Sequence, residues 1–113
     1  MTIAEDRAKR RAELETARRG ELRGHLQGLG VPENLHAGLI EYLVARRPTG
    51  AFLGACLRND LKDAALRADD ASAAALVSIV RFLVYHAPGT SWGNETLVSV
   101  WLSDPNPTPL AVD

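Results

Sequence analysis

The polar residues whose spacing comes nearest to a chemical site are Arg58, Asn59, Asp60, Asp63 and Arg67. On a helix, steps of three, four and seven put Asp60, Asp63 and Arg67 near one stripe. Asp60 also borders an apolar set made by Phe52, Leu53, Cys56, Leu57 and Leu61. A carboxylate in that position must be paired or hydrogen-bonded, because burying it alone is strongly unfavourable. Two arrangements meet that demand. The preferred one is an Asp60/Arg67 or Asp63/Arg67 ion pair, with Asn59 and Asp69 capping helix ends. The other is a polar binding notch in which Arg58 and Arg67 hold an anion through their planar forks of donors.

Other chemistries find less in this chain. His25, His36 and His86 do not pair at a metal-ligand spacing, so no metal is expected. Gly20, Gly24, Gly28 and Gly30 match neither a P-loop nor a dinucleotide fingerprint. No serine sits in a nucleophile elbow. The single cysteine, Cys56, reads as a small buried hydrophobe. No catalytic residue and no cofactor are therefore expected.

The second polar feature is basic. Residues 1–23 carry seven basic and five acidic side chains, whereas residues 24–113 carry six and nine, for a net charge of −1. Arg10, Arg11, Arg18 and Arg19 are the candidate contacts of this arm for a partner or for nucleic acid phosphates. Acidic residues interleave with them, and neither a helix-turn-helix spacing nor a base-stacking aromatic cluster accompanies them, so a salt-bridged or oligomerising helix is the preferred reading. Trp92, in a turn beside Gly93, is either an exposed interface anchor or, as preferred, a lid folded over the last helix.

The elements that must position these residues are all helical. Residues 4–26 contain no proline and many opposite-charge pairs at helical spacing, including Glu5/Lys9 and Glu15/Arg19. Their apolar stripe is thin until Leu22 and Leu26. Gly20, Gly24, Gly28 and Gly30 punctuate the same region and read as a hinge in preference to a close-packing face. A second helix is expected from Pro32–Glu33 to the stop at Pro48, and a third over roughly residues 50–68, where Asn59–Asp60 offers a break. Residues 72–86 form the most apolar helix, expected at the centre of the fold. Asn94 caps a last helix carrying Trp101. The tail, with Pro105, Pro107 and Pro109, is expected to be extended and poorly ordered unless docked. The expectation is an all-α fold, a bundle of about four to five helices. It divides into a charged helical arm with a glycine hinge (1–31), the bundle (32–102) and a flexible tail (103–113).

Neither a secretory signal nor an apolar run of the roughly 20 residues needed to span a bilayer is visible, so a cytoplasmic protein is expected. Pro48–Leu53, the run Leu57-Arg58-Asn59-Asp60-Leu61-Lys62-Asp63-Ala64, Arg67-Ala68-Asp69, Ser91-Trp92-Gly93 and Trp101 together resemble a group of small uncharacterised proteins common in bacteriophages and prophages. The resemblance spans roughly residues 32–102 and implies an accessory protein that binds, and in some settings inhibits, a host protein. The functional expectation is a binding module acting by occupancy, as a homo-oligomer or on a host protein. The alternatives are sequestration of a small nucleotide-like anion, and nucleic-acid binding through the arm. No membrane partner is expected.

Overall fold

Thr2 begins the first helix. Its hydroxyl accepts from the Glu5 amide at 3.1 Å while the Glu5 carboxylate accepts from the Thr2 amide at 3.2 Å, a reciprocal cap that satisfies two backbone donors. In this computed structural model, which describes residues 2–110, helix α1 then runs from Ile3 to Gly28. A 3-10 turn over Glu33–Leu35 leads into α2 (His36–Ala45), so the second helix starts later than Pro32 implies. The short helices α3 (Ala51–Leu57) and α4 (Leu61–Arg67), the long α5 (Asp70–His86) and α6 (Glu95–Ser103) complete the fold. No strand occurs among the described residues, and the chain is a small all-α bundle. No helix among them is long and apolar enough to cross a membrane.

The third expected helix divides at Asn59. That residue takes φ 59°, and the Asn59 and Asp60 amides bond back to the Cys56 and Ala55 carbonyls at 3.1 and 2.9 Å, the double closure of a left-handed helix end. Asp60 thereby becomes the N-cap of α4 and accepts from the Asp63 amide. Asp69 and Asn94 cap α5 and α6 in the same way, at 2.7 and 2.8 Å.

Two expectations are corrected. The glycines do not form a hinge: α1 continues unbroken through Gly20 and Gly24, because burying Leu22 and Leu26 completely against the body outweighs the local entropy cost. Nor do Gly20, Gly24 and Gly28 serve a close approach, since a Cβ at any of them meets open space. That role falls to Gly38 of α2, where a Cβ would lie 2.9 Å from the Leu53 side chain of α3. Gly24→Ala is accordingly expected to raise unfolding stability by about 0.5–1 kcal/mol, read from urea denaturation. A hinge in use would make the same change destabilising.

The second correction concerns α5, which is not central. Ala75, Ile79, Phe82 and Leu83 face the core with Leu39 and Leu43 of α2 and Leu53 and Leu57 of α3, but the opposite side of α5 is open to solvent. The tail, expected to be poorly ordered unless docked, is docked. Thr108 is buried, its hydroxyl donates to the Val44 carbonyl at 2.8 Å, and the chain folds back along α2 and α1 as far as residue 110. Residues 111–113 of the expected tail lie outside the described residues.

Candidate functional site

The polar set of α3 and α4 comes together around Asp63. Arg58 donates to one of its carboxylate oxygens at 3.2 Å and Arg67 to the other at 3.1 Å. Of the two expected pairs, Asp63/Arg67 forms and Asp60/Arg67 does not, because the left-handed Asn59 swings Asp60 into the cap position. Asn59 supplies this turn and is not itself a side-chain cap. The notch thus carries an acid between its two bases, and the Asp63 carboxylate competes with any outside anion for Arg58 and Arg67.

The arm arginines are committed in a similar way. Arg11 pairs with Glu15 at 3.1 Å and also donates to the carbonyl and hydroxyl of Thr108 at 2.9 and 3.1 Å. Arg18 is buried, with its side chain 6% exposed, and spans from Glu21 at 3.0 Å to the His86 carbonyl at the end of α5 at 3.1 Å. Arg19 bonds Glu41 of α2 at 3.1 Å and lies 3.8 Å from Glu15. The arm therefore docks on its own chain from about Arg11 onward, and Arg10 alone of the four candidate arm contacts is an exposed side chain in no ion pair among the described residues.

The residue that ties the end of α6 and the tail to α2 is Arg46, which the sequence marks only as a basic residue near a helix end. It closes α2 in the left-handed region at φ 54°. Its guanidinium lies 4.0 Å from the centroid of the Trp101 ring and donates to the Trp101 and Asn106 carbonyls at 3.0 and 3.1 Å, with Asp104 at 3.5 Å. A cleft of about 500 Å³ opens between arm and tail, lined by Arg11, Glu15, Arg46, Asp104 and Asn106. Its two arginines are spent on carbonyls and carboxylates of the same chain.

The aromatic residues serve packing. Trp101 is buried and donates from its indole to the Tyr42 carbonyl at 2.8 Å. The Tyr42 hydroxyl donates to the Ser91 carbonyl, and burial pushes it up to about 12, with Arg46 opposing. Trp92 and Phe52 are half-buried against the core. The Gly93 amide behind Trp92 bonds the Leu57 carbonyl at 2.8 Å. Burial also pushes the Cys56 thiol up to about 11, so it stays protonated at neutral pH. Among the described residues no cluster of three or more acidic, histidine or cysteine side chains could hold a metal ion.

His25 of α1 stacks on His86 of α5 with ring centroids 3.7 Å apart and planes 7° from parallel. Desolvation, with the nearby His25 and Arg18 charges, holds His86 below 6.5, and Glu21 opposes them. A folded His86 that binds its proton less readily than the unfolded chain contributes stability at high pH. That contribution begins to fall as pH drops below about 6.5 and is fully lost below the folded value. The melting temperature is therefore expected to drop between about pH 8 and about pH 5, with a smaller drop in His86→Gln. An identical pH slope in the variant would assign the effect elsewhere.

The outward side of α5 is apolar and bare. Val77 and Val84 of α5 are 60% and 59% exposed, and Val80 is exposed beside them. Along the flank of Val80, between α4 and α5, lies a shallow groove of about 70 Å³ with Leu61 and Leu76 on its rim and Ala55, Cys56 and Ala64 at its floor. Leu66 and Tyr85 are exposed on the same two helices. Within residues 72–86 the one charge, Arg81, is on the outward side, but the valines around it make that side apolar as well, so the pattern separates the two faces only weakly. No protein family, curated protein or solved structure matches this chain.

Proposed function

We propose that this chain is a protein-binding module that acts by occupancy, and that its docking face is the outward side of α5 with the adjoining edge of α4. The observation that carries this reading is the composition of α5: from Ala71 to Tyr85 it holds one charged residue, Arg81, although one whole side of it meets solvent. A helix apolar on all sides is normally covered on all sides, and a contiguous exposed apolar patch marks an interaction surface. Sequestration of an anion has less support, since Arg58 and Arg67 already share Asp63, and nucleic-acid binding has less because Arg11, Arg18 and Arg19 are held within the chain.

A photo-crosslinking amino acid at Val77, introduced in producing cells, tests the reading. Covalent protein adducts from position 77, and none from the exposed Arg23 on α1, are the expected result. A chain that yields no adduct from position 77 would overturn it.

A further inference from the structure

We infer that the outward face of α5 pairs with the same face of a second copy of this chain, the two helices antiparallel about a two-fold axis. This rests on the reading of that face as a docking surface and names its partner. On a helix with 3.6 residues per turn, Ala73, Ala74, Val77, Val80 and Val84 all fall within about 60° of the direction of Val77, opposite the core-facing Ile79, Phe82 and His86. Two charges share that stripe, Asp70 near its N-terminal end and Arg81 toward its C-terminal end, and both are exposed.

Such a stripe is its own complement. With the axis between positions 74 and 77, each Val77 meets Ala74 of the second copy, and each Arg81 meets Asp70 of the second copy. Both ion pairs form at once, as an isologous interface requires. A parallel arrangement would set Arg81 against Arg81 and Asp70 against Asp70. Antiparallel pairing also sets each acidic helix start beside the C-terminal half of the other helix, which the helix dipoles favour. Ala73 and Ala74 keep that half of the stripe low, so the valines of the other copy can approach at the 8–10 Å axis separation typical of packed helices. The stripe is neutral overall, and so carries no preference for a partner of one sign.

Sedimentation equilibrium of the full chain at ~0.1 mM tests the pairing. A particle of twice the 12.2 kDa chain mass is expected. Val77→Lys should be monomeric at the same concentration with an unchanged circular dichroism spectrum. Asp70→Arg and Arg81→Asp should each weaken the dimer about tenfold or more, since each sets like charges together twice. Mixing these two variants should restore a dimer containing one chain of each, because only the mixed pair has opposite charges at both contacts. A wild-type chain of monomer mass, a Val77→Lys chain that still dimerises, or a mixture that forms no mixed dimer would each overturn the inference. If adducts from position 77 in cells join this chain to other proteins while the pure chain is monomeric, self-pairing fails and the docking reading stands. If position 77 yields no adducts at all, both fail.

Discussion

Replacing Trp101 by alanine is expected to cost about 3–5 kcal/mol of unfolding stability, the range for truncating a large buried aromatic residue. Three losses coincide at this residue. Its ring fills the space between α2 and α6 and lies nearly parallel to Tyr42, with centroids 6.2 Å apart. Its indole N–H is the donor to the buried Tyr42 carbonyl, which would be left without that partner. Its outer face carries the Arg46 guanidinium. Trp101→Phe keeps most of the ring and loses the donor, and should cost less than half as much. Urea denaturation followed by circular dichroism measures both. A cost for Trp101→Ala below about 1 kcal/mol would mean that α6 contributes little to the cooperative core.

Arg46→Met is the second large effect, expected at about 2–3 kcal/mol from the loss of charge-assisted hydrogen bonds and of the cation–π contact. Methionine retains the aliphatic stem and about the same packing, so the change isolates the guanidinium. The Asp104 pair adds little to this figure because Asp104 is about one-third exposed, where solvent screens it. The more specific consequence is local. The Asn106 carbonyl is held by Arg46, the Thr108 carbonyl by Arg11, and the Thr108 hydroxyl is bonded to the Val44 carbonyl, so of three fastenings of the tail one goes. Amide hydrogen exchange should accelerate at Asp104, Asn106, Thr108 and Leu110 well before global unfolding, while Leu39, Leu43 and Phe82 stay protected. Unchanged exchange in the tail would show that Arg11 and the Thr108 bond to Val44 hold it without Arg46.

The two effects are coupled. Arg46 rests on Trp101 and donates to its carbonyl, so the double variant should cost less than the sum of the singles. The same contact explains a left-handed arginine at the end of α2, a position where glycine is usual. The turn aims the side chain back across Trp101, and the interactions made there offset a backbone conformation that costs roughly 1 kcal/mol for a residue with a Cβ.

The glycine run and α5 show how local and tertiary preferences divide. Gly20 and Gly24 weaken α1 by propensity alone, yet Leu22 and Leu26 hold it helical once α2 and α5 supply a surface to bury them. In α5, strong apolarity was legible and its meaning was not. A uniformly apolar helix can lie in the middle of a bundle or at the edge of one with a second surface to cover, and periodicity does not distinguish the two. Among the site residues, Asp63 and Arg67 could be paired from their spacing, because four residues apart on a helix is close in space. Arg58 joins them only because α3 and α4 meet across the Asn59 turn.

What the sequence by itself determined was local. The all-helical class, the starts of α5 and α6 at Asp69 and Asn94, the break at Asn59–Asp60 and the stop before Pro48 all follow from bonds or steric limits within a few residues. Only the tertiary structure decided that the arm folds onto its own body, that the tail docks and that one side of α5 stays bare. Those outcomes rest on contacts such as Arg18 with His86, Arg46 with Asn106 and Arg11 with Thr108, whose partners lie 60 to 97 residues apart. An arginine has the same reach toward any carbonyl the fold presents. Its partner is therefore chosen by which backbone ends are left without donors after the helices pack, and that is a property of the assembled bundle.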